Sequence, residues 1–307
     1  MKFFMQGMRR SATTVVYDLL SQDDRLDLYY EPYSVHGKVE MGGGSGMQEV
    51  DHMAKIYEMR DAFVEARPVY GIEPGDLNYG APREPSLELD TEMAPWAREY
   101  LEFLLDRSEH VAMKLTRMYR KMGVLKEIVP EAKVALLLRH PQEVVASYMY
   151  GKGLKRSDKI LDADAFFGRT SGINPWNARR FFEAIVDAEG WHHLAGSPDW
   201  IVFLTVWKYT FDYTFAEGRE AFGDALLVQR HENLVADPKA GTVELYDHMG
   251  LEPSQKAVSW AVTNLRHSRK RAYHDDPRWI EGYEKVGMVA SLAAAGYEPV
   301  LAEGERS

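Results

Sequence analysis

Five side chains able to hold an anion stand in one short run, Arg9-Arg10-Ser11-Ala12-Thr13-Thr14. The apolar stretch Phe3-Phe4-Met5 and then Gly7 precede the run, and Val15, Val16, Leu19 and Leu20 follow it at helical spacing. A strand that turns through a basic loop into a helix aims the helix's first N–H groups, two guanidinium groups and three hydroxyls at one point. That is an anion cradle, suited to a phosphate or a phosphosulfate. A second apolar run, Leu136-Leu137-Leu138, ends in Arg139-His140-Pro141 and leads into a helical stretch that carries Ser147. Arg139 at a strand end offers a phosphate two parallel hydrogen bonds. Ser147 falls on the same side about two helical turns in. Glu31 closes the run Leu28-Tyr29-Tyr30 and puts a carboxylate, a candidate general base, at another strand end. Lys114 adds a cation after Val111-Ala112-Met113.

These groups can converge only if one sheet carries them. After a first strand that begins at residue 2, apolar runs at 26–30, 111–114, 134–138 and 225–229 read as buried strands, with helical segments between them. Pro141 suits the first position of a helix. Residues 201–222 and 238–249 read as further helices. Strands alternating with helices predict a P-loop-like three-layer α/β fold. It has a central parallel sheet of about five strands and binds ligands beyond their carboxyl ends. The whole chain, 1–307, reads as one domain. Regions 33–95 and 150–199 break the rhythm; the first holds Gly42-Gly43-Gly44-Ser45-Gly46 and several prolines. Both read as irregular insertions that wall or cover the ligand end.

The formal net charge of −10 argues against broad nucleic-acid binding, which depends on clustered Lys and Arg. Basic residues are concentrated locally instead, at Arg9–Arg10, around Lys114 to Lys121 and at Arg266 to Arg271, as a small anionic ligand requires. With no cysteine, disulfides, thiolate catalysis and Cys-held metals are excluded. No stretch is long and apolar enough to span a bilayer. With a first strand expected to begin at residue 2, no leader is expected. A cytoplasmic protein is expected.

The loop is not that of a nucleotide triphosphatase. The pattern G-x-x-x-x-G-K-[ST], counted from Gly7, meets Ala12 and Thr13 where glycine and lysine belong. It resembles instead the 5′-phosphosulfate loop of sulfotransferases that use 3′-phosphoadenosine 5′-phosphosulfate (PAPS), with Ala12 in place of the family's glycine. Arg139 and Ser147 stand at the spacing of the family's 3′-phosphate pair, and Pro130-Glu131-Ala132-Lys133 resembles its lead-in. Arg230-His231-Glu232-Asn233-Leu234 resembles a segment whose aromatic lies near the adenine, here His231. Arg269-Lys270-Arg271 takes the place of a late basic segment that closes on the 3′-phosphate. The motif style is closest to carbohydrate-type and bacterial small-molecule members. The resemblance implies that Arg9, Arg10, Ser11, Ala12, Thr13, Thr14, Arg139, Ser147, His231 and one or more of Arg269, Lys270 and Arg271 bind PAPS.

Aryl sulfotransferases carry their base as His in a Lys-Thr-His segment. Here the stretch is Lys114-Leu115-Thr116-Arg117, without one. Tyr30-Glu31-Pro32 resembles the Tyr-Glu-Pro of carbohydrate-type members and makes Glu31 the expected base, with His36 in reserve. Arg10 is expected to stabilise the leaving phosphate. Lys114 either orients the acceptor, touches the transferred sulfuryl group, or is a solvated strand-end lysine. The expected reaction is sulfuryl transfer from PAPS to a hydroxyl of a small-molecule acceptor, with no metal. N-sulfation stays open. The alternatives are a P-loop small-molecule kinase and a nucleotide-binding protein without turnover. His192-His193 does not read as a metal pair, because adjacent side chains point apart.

Overall fold

The computed structural model describes residues 1–34, 47–77, 85–150, 162–170, 175–266 and 271–298. Five strands, β1 (Lys2–Gln6), β2 (Asp27–Tyr30), β3 (Val111–Leu115), β4 (Lys133–Leu138) and β5 (Leu226–Arg230), form one parallel sheet in the order β2-β3-β1-β4-β5. The apolar runs had marked all five within a residue or two. Phe3, Phe4, Met5 and Gln6 are each 0% exposed although neighbouring residues point to opposite faces, so helices cover both faces of the central strand.

Thirteen helices pack around the sheet among the described residues. The first five are α1 (Thr13–Leu20), α2 (Met47–Ala66), α3 (Pro95–Leu105), α4 (Met122–Ile128) and α5 (Pro141–Tyr150). Next come α6 (Ala163–Phe167), α7 (Pro175–Glu189), α8 (Asp199–Phe222) and α9 (His231–Ala236). The last four are α10 (Pro238–Met249), α11 (Gln255–Asn264), α12 (Arg278–Val286) and α13 (Val289–Ala294). α8, the longest, packs against α4, α5, α7 and α12, while α1, α10 and α11 form a second group. The long helix expected at 201–222 and the one at 238–249 are α8 and α10.

Where they are described, much of the two insertions is helical rather than irregular. α2 and α3 occupy much of the first and its flank, and α6 and α7 much of the second. Glycines and prolines drew attention to the connections. The 20-residue α2, polar on most sides, offers little hydrophobic periodicity to read. No helix among the described residues is long and apolar enough to cross a membrane.

The strand order fixes the site. The chain steps from β1 outward to β2, returns through β3, and leaves on the other side of β1 through β4 and β5. The order therefore switches at β1, and the crevice beyond a switch point is where open α/β sheets bind ligands. The loop after β1 is flanked there by the ends of β3 and β4.

Candidate active site

Gly7 begins the loop because nothing larger fits. A Cβ there would lie 2.7 Å from the Leu137 carbonyl oxygen and 2.9 Å from the Thr13 methyl. The loop then turns tightly, with Ser11 N–H donating to the Met8 carbonyl at 3.1 Å. Arg10 and Ala12 adopt φ values of 74° and 64°, the left-handed region that side chains disfavour. Glu31, with φ 45°, is the third such residue among the described non-glycine positions. All three lie at the predicted site, where strain persists only if the surrounding structure enforces it. Ala12 stands where the family has glycine, and its conformation shows why glycine suits the place.

α1 starts at Thr13 with no side chain capping it, so its first N–H groups face the loop without intrahelical partners. Ser11 Oγ is buried and has no hydrogen-bond partner among the described residues. Arg10 is exposed beside them. Thr14 Oγ1 is 3.0 Å from the Tyr30 hydroxyl and so is turned toward β2. Arg9 parts from Arg10 and turns inward, where its Nη2 donates to Glu88 Oε1 at 3.2 Å. One guanidinium and the loop's backbone, rather than two guanidiniums, thus face the anion cradle.

The second anion motif meets the first. Arg139 Nη1 reaches the Arg10 carbonyl at 3.5 Å, the limit of hydrogen bonding. The Arg139 carbonyl accepts from Trp207 Nε1 of α8 at 3.0 Å, which pins the strand end. Arg139 Nη2 donates to Glu143 at 2.7 Å. Ser147, half-buried, lies one turn beyond Glu143 on the same face of α5. Glu143 Oε1 is 2.9 Å from His274 Nε2, off the line of a hydrogen bond, and the Arg271 N–H donates to His274 Nδ1 at 3.0 Å. The segment holding Arg271 is thereby brought to the Arg139 end, while Arg269, Lys270 and His36 lie outside the described residues.

His231 begins α9 at the end of β5, half-buried. Beside it, Glu232 accepts from the His140 N–H at 2.8 Å and from the Tyr297 hydroxyl at 2.9 Å. Tyr297 in turn meets the His140 ring edge-on at a centroid distance of 4.9 Å. Burial lowers the pKa of His140 and keeps it neutral. Neither Glu232 nor Tyr297 could be singled out from sequence, since nothing local links residue 297 to residue 140.

On the other side of β1 the ends of β2 and β3 form a buried ionic cluster. Lys114 Nζ donates to Glu31 Oε1 at 2.5 Å and lies 3.7 Å from the centre of the Tyr30 ring, its partner across the ladder. Arg117 Nη1 donates to Glu88 Oε1 at 2.5 Å, so two guanidiniums share one carboxylate oxygen. Lys121 Nζ donates to the carbonyls of Leu87, at 2.7 Å, and Asp90, which fixes the segment that carries Glu88. Burial pushes the carboxyl pKa of Glu31 up, but Lys114, Arg9 and Arg117 together outweigh it and hold Glu31 at about 2. Burial, and then Arg9, push the Arg117 guanidinium below its ordinary range. Sequence reasoning placed Glu31 and Lys114 but missed Glu88 and Arg117, whose roles depend on a buried contact across 29 residues.

A narrow cleft opens beside this cluster, lined by Glu31, Tyr33, Ser34, Thr116, Arg117 and Met118. Among the described residues no three His, Cys, Asp or Glu side chains come together as a metal site.

The sequence matches the profile of the sulfotransferase family over residues 3–182, more than half its length, and the chain belongs to that family. Its fold is similar to a sulfotransferase from Mycobacterium avium at 12% identity and a TM-score of 0.52, over 97% of this chain and 77% of the other. It is also similar to the sulfotransferase domain of the Synechococcus PCC 7002 olefin synthase (16% identity, TM-score 0.45, 91% and 82% covered). A third is the sulfotransferase domain of the curacin biosynthetic pathway (14% identity, TM-score 0.47, 96% and 97% covered). No curated protein matches the sequence.

Proposed function

We propose that this sulfotransferase takes the sulfuryl group from PAPS and passes it to a hydroxyl of a small-molecule acceptor, with Glu31 as the base. The observation that carries the reading is the meeting of the two anion motifs, with Arg139 Nη1 against the Arg10 carbonyl. A 5′-phosphosulfate and a 3′-phosphate on one nucleotide need two anion sites side by side. The residues fit that donor: Arg10 is exposed, α1 has free N–H groups, and Ser11 carries a buried hydroxyl without a partner. The donor supplies an activated sulfuryl group on a phosphate that can leave.

Arg10 and the α1 N-terminus would hold the 5′ end, and Arg139, Ser147 and the segment after residue 266 the 3′ end. Arg9 is committed to Glu88 and acts on the loop from behind. Glu31 at about 2 is ionised but a weak base. Lys114 does most to keep it weak, with Arg9 and Arg117 behind it. A competing oxyanion that draws Lys114 away leaves burial less opposed, and burial raises the carboxyl pKa. Glu31 then accepts the hydroxyl proton more readily as the acceptor attacks. The protein is expected to be soluble and cytoplasmic, to use no metal, and to act as a single domain.

Titration calorimetry tests the donor reading. Adenosine 3′,5′-bisphosphate should bind well, adenosine 5′-monophosphate and ATP–Mg²⁺ poorly. Equal binding of all three would return the chain to the kinase alternative.

A further inference from the structure

The cleft beside Glu31 is built for an anion as well as for a hydroxyl. Two of its lining groups are buried donors with nothing to donate to. Thr116 is 2% exposed and its Oγ1 has no partner; Arg117 is 5% exposed and its Nε–H has none either. A buried donor left unmade costs about 1–3 kcal/mol, more when charged, so such groups persist where a ligand completes them. Charge points the same way. Arg9, Lys114 and Arg117 are three cations against the two carboxylates of Glu31 and Glu88. Arg117 also has only a share in one oxygen of Glu88.

We propose that the acceptor is a hydroxy acid whose carboxylate is held by the Arg117 Nε–H and the Thr116 hydroxyl, while its own hydroxyl meets Glu31. The inference rests on the sulfuryl-transfer reading and adds the acceptor's class to it. The cleft's open volume is about 10 Å³, the space of one water, so it must widen to admit an acceptor group. A carboxylate matches the guanidinium's planar face. The donor's own oxyanions are not needed there, because Arg10, the α1 N-terminus and Arg139 stand ready on the far side of β1.

The test uses the whole protein, ¹⁵N-labelled and loaded with adenosine 3′,5′-bisphosphate. The probes are lactate, 3-hydroxybutyrate and 4-hydroxyphenylacetate, their methyl esters, and sodium sulfate. The Arg117 Nε–H resonance, identified by its loss in Arg117→Lys, should shift saturably with at least one acid and with no ester. Thr116→Val removes only an unpartnered hydroxyl, so it should fold, and it should weaken that acid's binding about tenfold. The proposal is overturned if no acid moves the resonance, if esters move it equally, if sulfate alone does, or if Thr116→Val binds as the wild type. Failure of the wild type to bind the bisphosphate would overturn the donor reading instead.

Discussion

The two sides of β1 solve the problem of holding charge differently. On the β4 side the cations are partly exposed: Arg10 faces solvent, and Arg139, at the end of β4, leans on a carbonyl and on Glu143 in the first turn of α5. On the β3 side Lys114 and Arg117 are buried and Arg9 is half-buried, and all three are tied to Glu31 and Glu88. Exposed charges can change partners cheaply. Buried ones are costly to leave alone. In the proposed reaction the first side would take the nucleotide that enters and leaves each turnover, and the second would place the acceptor hydroxyl and its proton.

Removing a carboxylate separates the sides most strongly. Glu88→Ala leaves the buried Arg117 and the half-buried Arg9 without their shared partner and should cost about 3–5 kcal/mol. Glu143→Ala frees only a partly exposed i,i+4 pair, worth about 0.5 kcal/mol. Urea unfolding at constant slope measures both, and equal costs would erase the contrast.

Acid should also weaken the buried side. The pKa of Glu31 is lowered by folding to about 2, so its contribution is present above the unfolded value and lost as pH falls through the folded one. That contribution is on the order of 3 kcal/mol and should fade between about pH 4.3 and 2. Glu31→Gln should flatten that limb of the stability–pH curve. In Lys114→Met, a ¹³C titration of the Glu31 carboxyl should move to higher pH; an unmoved titration would remove Lys114 as the cause.

Smaller effects belong to the exposed side. Ala12→Gly relieves a left-handed alanine and should stabilise by up to about 1 kcal/mol, read as a higher melting temperature. Ser11→Ala deletes a buried hydroxyl without a partner, so stability should hold or rise by a few tenths to about 1 kcal/mol. Its affinity for the bisphosphate should fall. A stability loss with intact affinity would make Ser11 structural.

The same contrast decides what could be read in the sequence. The five strands were legible because each is a short apolar run, and Arg9 to Thr14, Glu31 and Arg139 with Ser147 because each motif is local. Glu88 was not legible: it sits at the end of a short turn, Pro85–Glu88, inside a region that reads as an insertion. Its meaning comes from Arg9 and Arg117, which arrive from two different strands. The inward turn of Arg9 and the link from Tyr297 through Glu232 to His140 follow from packing, which no spacing rule encodes.

The division at β1 is tested most directly by measuring bisphosphate binding in Arg139→Ala and Glu31→Gln side by side, with folding checked in both. Arg139→Ala should lose about tenfold to a hundredfold in affinity, while Glu31→Gln keeps the wild-type value. Equal losses in the two, or a loss confined to Glu31→Gln, would contradict the assignment of donor and acceptor to opposite sides of the central strand.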